Sequence, residues 1–272
     1  MSAEIGISLR GMDRKHFYAE LAGGKNLDYE LYLKTRELLS CQKSFDDLCN
    51  QDELQFQIVH QVEELWMKLI AWTLLEVDDH LTEGNTHRAV TLLGRCHRTL
   101  RLMTQQLELL ETMSPKEYQQ IRLQLGNGSG QESPGFRVIV QMMPHIWRTF
   151  ESVYLTARGR TVEQIYDSGY SHDDAYVLAE NLMELDELFQ KFRWNHILLI
   201  HRSIGMGSAS LKGRSVDLLA TGAKHRFFPQ LWEVRVTMTD AWGGAYGRVR
   251  DSIAAEPKDV DAAHQTMADE RL

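Results

Sequence analysis

Proline is scarce in this chain, with five in 272 residues, less than half the usual share of about 5%. Long stretches therefore run free of the residue that most often breaks helices. Cysteine is scarcer still. Cys41, Cys49 and Cys96 are odd in number, widely spaced and without a CxxC pair, which excludes a disulfide framework and a thiolate metal centre. Positive charge is also short: 30 Lys and Arg stand against 38 Asp and Glu, a net charge of −8, so the clustered cations that duplex nucleic acid demands are missing. The longest apolar runs, 138–144 and 197–200, fall far below the roughly 20 residues of a bilayer span. Residues 1–24 carry no apolar core like that of a signal peptide. The expectation is a cytoplasmic protein with neither a nucleic-acid nor a membrane partner.

What is present is helical period, and strand signals are sparse, so the fold is expected to be all-α. Residues 1–26 show no sustained period and read as an arm, 27–240 as one helical domain, and 241–272, polar and small, as a mobile tail. Asp28 is expected to cap a helix reaching about Cys41. Asn50 with Glu53 opens a strongly periodic helix carrying Phe56 and His60 on one face. From Asn85 to Met113 the apolar positions step by three and four. Ser114, Pro115 and Glu117 form a helix start, and Tyr118, Arg122 and Leu125 follow on a common face. A break is expected at Pro144, and capping pairs at Thr161 with Gln164 and at Ser171 with Asp174. The last pair opens a long helix that holds His196 and fades near Gly205. Two segments, GNGSG at 126–130 and 206–214, are too rich in Gly and Ser for helix.

His60 and His196 stand on apolar helices. A lone imidazole in such a place is more often a core residue bonded to backbone, but two across an apolar pocket are what a haem oxygen site requires. His201 and His145 compete for the same role, and spacing alone does not decide among them. Tyr118 and Arg122, one turn apart, offer a phenol and a bidentate guanidinium to a carboxylate, and GNGSG adds backbone donors and the Ser129 hydroxyl nearby. His60 with Glu64, one turn apart, resembles a metal pair, yet the Glu-x-x-His motifs of di-iron bundles do not occur.

The segments LDYELYL (27–33), DELQFQIVHQVEELWMKL (52–69), SPKEYQQIRLQLGNGSG (114–130), HILLIHRSIG (196–205) and FFPQLWEVR (227–235) closely resemble the tryptophan 2,3-dioxygenase family, in the family's order. The resemblance implies an all-α haem b enzyme, a homotetramer, that inserts oxygen from O2 at the indole C2–C3 bond of L-tryptophan or a close derivative. It places His196 as the axial iron ligand and His60 as the distal acceptor of the indole N–H. Phe56 and Leu125 would line the pocket, Tyr118 and Arg122 clamp the carboxylate, and Ser129 lie beside ligand and haem. Tyr29, Tyr32 and Leu33 match residues that a neighbouring subunit lends to the site.

The chain also departs from the family. Ser210 stands where the family has a threonine facing the substrate ammonium, inside a rewritten SASLKGRS, and the family's Gly-Phe-Gln-Ser becomes Gly130, Gln131, Glu132, Ser133. The interval from Ser129 to His196 is shorter than in typical members. Dioxygenation to N-formylkynurenine is the leading expectation. A monooxygenase forming a 2-oxindole from tryptophan or β-methyltryptophan, as in maremycin-type tailoring, is the alternative, and a non-catalytic haem or indole sensor is a third.

Overall fold

Asn50 begins the first long helix. Its Oδ1 accepts the amides of Asp52 and Glu53 at 3.0 and 3.1 Å, which satisfies first-turn donors that the helix itself cannot. The computed structural model describes residues 13–21, 26–126, 130–207, 222 and 224–246, and every regular element among them is helical. In chain order these are α1 (Arg14–Leu21), α2 (Asp28–Leu33), α3 (Thr35–Leu38), α4 (Asp52–Thr82), α5 (Thr86–Leu110), α6 (Pro115–Gln124), α7 (Pro134–Phe150), α8 (Val162–Tyr166), α9 (Asp174–Ile204) and α10 (Pro229–Tyr246). Short 3-10 turns cover Phe45–Asp47, Gly130–Glu132 and Thr156–Arg158, and a π turn covers Glu151–Leu155.

The described residues fall into two compact units. One holds α1–α3, α4 up to Ala71, α5 from Arg98, α6, α7 up to Ile139 and α9 from Leu188. Its core is built from Val59, Met67, Leu100, Met103, Ile121 and Phe192, each of them buried. Asn50 Nδ2 ties this unit together by donating to Glu117 O and Gln120 Oε1, both at 3.0 Å, which holds α6 against the start of α4. Glu53, 3% exposed, accepts from Lys43 Nζ at 2.5 Å and from the Cys49 amide at 2.6 Å.

The other unit packs Leu74, Leu92, Phe150, Leu182, Phe228 and Leu231. The π turn places Tyr154 in this core, where its hydroxyl meets Thr86 Oγ1 at 3.1 Å. Asp186, fully buried, accepts from the amides of Phe227 (2.8 Å) and Phe228 (3.1 Å) and from Trp232 Nε1 (3.0 Å).

Four details differ from expectation. The helix expected from Asp28 is split, because Lys34 adopts φ 51° and separates α2 from α3, and the α2 cap position is Leu27. Pro144 lies inside α7, which continues to Phe150; one missing amide does not end a helix whose apolar face is buried on both sides of it, at Ile139, Met143, Ile146 and Trp147. Asp173, not Ser171, caps α9 by accepting the Tyr176 amide at 3.1 Å. The last helix runs past Ala241 to Tyr246, and 247–272, the rest of the expected tail, lie outside the described residues.

Candidate active site

The site residues on α4 are Phe56 and His60, one turn apart, with ring centroids 4.1 Å from each other. His60 Nδ1 lies 2.7 Å from the Phe56 carbonyl oxygen. A carbonyl can only accept, so Nδ1 carries the proton. Burial holds the His60 imidazole below its usual range, against the opposing influences of the Phe56 carbonyl and Glu64. The ring is therefore neutral near pH 7, and its Nε2 presents a lone pair.

Helix α6 supplies the polar pair. Ser114 caps it by accepting the Glu117 amide at 3.4 Å, with Pro115 at the first position. The Tyr118 ring sits 6.3 Å from that of Phe56. Burial raises the phenol and the nearby Arg122 charge opposes it, so Tyr118 stays a neutral donor at physiological pH. Arg122, half-buried one turn on, donates from Nη1 to Gln119 Oε1 at 3.4 Å. Leu125 closes the helix as its C-cap residue and is 41% exposed.

On α9, burial pushes the His196 imidazole down to about 4, and nearby His60 adds to the effect. Phe192 lies one turn before it with its ring nearly parallel at 6.4 Å. Gly130 comes so close that a Cβ built there would sit 3.6 Å from His196 Cε1. His201, the competitor on the same helix, has its Nε2 buried and without a hydrogen-bond partner among the described residues. His145 is exposed and pairs with Arg148 Nη2 at 2.6 Å.

The structure thus brings Phe56, His60, Tyr118, Gly130 and His196 into one unit, with Arg122 beside Tyr118. It leaves Tyr29, Tyr32 and Leu33 on the outside of α2, at 71%, 88% and 45% exposure. Ser129 and Ser210 lie outside the described residues. Sequence reasoning passed over Gly135 and gave Glu64 no role, yet Glu64 Oε2 accepts the Gly135 amide at 3.1 Å. The available signal was a glycine directly after Pro134 at a helix start, where it disfavours helix unless something must come close.

Comparison with known proteins points to one family. A family model described as tryptophan 2,3-dioxygenase matches residues 12–145. The chain is similar to a tryptophan 2,3-dioxygenase from Myxococcus xanthus, with 29% identity over 269 aligned positions that cover 81% of this chain and 92% of the relative. It is similar as well to one from Bacillus thuringiensis subsp. konkukian, at 27% with 79% and 94% covered, and to one from Xanthomonas oryzae pv. oryzae, at 28% with 78% and 88% covered. With the all-helical fold and the paired imidazoles on α4 and α9, these similarities support membership of the tryptophan 2,3-dioxygenase family.

Proposed function

We propose that this protein is a haem-dependent oxygenase acting at the indole C2–C3 bond of L-tryptophan or a close derivative. The observation that carries this reading is the state of His196: a half-buried imidazole kept neutral, its lone pair available, with the Gly130 backbone against its ring. Such a group would hold the iron of haem b. Bound there, the haem supplies the binding and activation of O2. Everything else falls to the protein's own side chains.

Arg122 forks the substrate carboxylate, and the Tyr118 hydroxyl donates to the same oxygens. Phe56 packs against the indole ring, and His60 Nε2 accepts the indole N–H. The task of these contacts is alignment and exclusion of water, since indole C2–C3 is already electron-rich. Leu125, Ser129 and Ser210 complete the pocket, the two hydroxyls lying towards the substrate ammonium. The assembly is a cytoplasmic homotetramer in which Tyr29, Tyr32 and Leu33 serve a neighbouring copy. Their exposure supports this, as do Ile58 and Leu65, 42% and 49% exposed at heptad spacing on α4.

The test is to incubate reduced, haem-loaded protein with L-tryptophan under labelled oxygen and weigh the product. Two label atoms in N-formylkynurenine support dioxygenation. One atom in a 2-oxindole would move the protein to the monooxygenase reading, for which the rewritten SASLKGRS and the Gln131 substitution are the motive. Stoichiometric haem without oxygen consumption would leave a sensor.

A further inference from the structure

Pro134, Gly135 and Phe136 form the first turn of α7, and each disposes of its amide differently. Pro134 has none. Phe136 donates to Ser133 Oγ at 3.0 Å, a local cap. Gly135 donates away from its own segment, to Glu64 Oε2 at 3.1 Å, across 71 residues of sequence. The approach is close enough to require glycine: a Cβ at 135 would fall 2.5 Å from Met67 Cβ and 2.9 Å from Glu64 Oε2. Ser133 Oγ also reaches Met67 Sδ at 3.6 Å.

Glu64 stands one turn after His60 on α4, and its charge acts on that imidazole. The segment it grips begins at Gly130, whose backbone lies against His196 on α9. Residues 130–135 therefore form a strap with one end at the His196 ring and the other on the carboxylate neighbouring His60. They are also where this chain departs from the family, in the run Gly130, Gln131, Glu132, Ser133.

We infer that Glu64 is a positioning residue of the oxygenase site, holding the 130–135 strap through the Gly135 amide so that the Gly130 backbone is set against His196. The role rests on the oxygenase reading, but the strap itself does not. Glu64 acts through the strap, and an acceptor oxygen, not a negative charge, is what the contact with the Gly135 amide demands.

The experiment compares Glu64→Ala, Glu64→Gln and Gly135→Ala with the parent. Haem stoichiometry, the ferric Soret and EPR spectra, KM and kcat for L-tryptophan, thermal melting, and amide exchange at 130–136 in the haem-free protein are measured for each. Glu64→Ala and Gly135→Ala should retain stoichiometric haem, alter the ferric spectrum, lower kcat/KM by about 10- to 100-fold and speed exchange at Gly135. Glu64→Gln should restore the parental spectrum and exchange and return activity to within about threefold. Parental spectrum and exchange in Glu64→Ala would overturn the inference. Equal damage in Glu64→Gln and Glu64→Ala would overturn it too, by making charge or general stability the cause. If the parent itself takes up no haem, the oxygenase reading fails, and amide exchange still decides whether Glu64 holds the strap.

Discussion

His60 donates its Nδ1 proton to the carbonyl of Phe56, one turn earlier and 2.7 Å away, so the residue whose ring lies beside the imidazole also selects its tautomer. The nitrogen left free is an acceptor. A partner with an N–H is matched to it, and a partner with N–CH3 is not.

His60→Ala should therefore narrow the preference for L-tryptophan over 1-methyltryptophan by about 10-fold, the worth of one hydrogen bond in a desolvated site. Competition of the two substrates, read by mass spectrometry, gives the ratio directly. An undiminished preference in the variant would assign the N–H to another acceptor.

Removal of the Arg122 guanidinium should raise KM about 10- to 100-fold, the magnitude of one charge-assisted hydrogen bond. Arg122→Lys should recover little of this, because a point charge does not offer the planar fork. Tryptamine, which has no carboxylate, isolates the contact: parent and Arg122→Ala should handle it alike. A penalty of equal size on tryptamine would count against the clamp.

His196→Ala should abolish stoichiometric haem uptake while leaving the far-ultraviolet helical signal intact, since the ring is half-buried and makes no hydrogen bond with another described residue. Uptake that survives His196→Ala and is lost in His201→Ala would transfer the ligand one and a half turns along α9.

Glu63 gives a pH prediction apart from the chemistry. It is 6% exposed, its Oε1 has no hydrogen-bond partner among the described residues, and burial, opposed by the hydrogen bond from Gln106 and aided by the Glu64 charge, raises its carboxyl from 4.5 to about 7. The folded state thus binds a proton that the unfolded chain gives up near 4.5. Stability from this group is full below that value and is lost as pH rises through about 7. Glu63→Gln should remove the penalty, leaving the variant more stable than the parent at pH 8 by up to about 3 kcal/mol, with little difference at pH 4.5. Urea midpoints at the two pH values test it, and a gain independent of pH would assign the effect to packing.

The parts of this molecule that were legible in advance are those whose causes are close in sequence. The cap at Ser114 and the box at Thr161 with Gln164, whose amide bonds are present at 2.9 and 3.3 Å, need only a few residues to exist. The face shared by Tyr118 and Arg122 follows from a single helical turn. Lys34 was not legible, because a left-handed lysine carries no glycine or proline signal. Asp173 displaced Ser171 as a cap because two acceptors two residues apart compete, and helix packing decides the register. His196 could not be separated from His201 by period, since both ride one helix and both are half-buried, and only contacts with other segments, such as the Gly130 backbone against His196, set them apart. Glu64 and Gly135 meet across 71 residues, and no local pattern announces such a bond.

The grips on the chain returning after α9 bear on how this protein has room to change. Arg193 donates to the carbonyls of Gly222 and His225, at 2.9 and 2.5 Å, and Asp186 collects the donors of Phe227, Phe228 and Trp232. Both side chains belong to α9, which also bears His196. Once the return is moored there, the closure entropy of the intervening stretch depends on its length and hardly on its composition. On the proposed reading, the rewriting of SASLKGRS, Ser210 included, is a route by which substrate preference drifts while the scaffold and the His196 imidazole proposed to hold the iron stay in place.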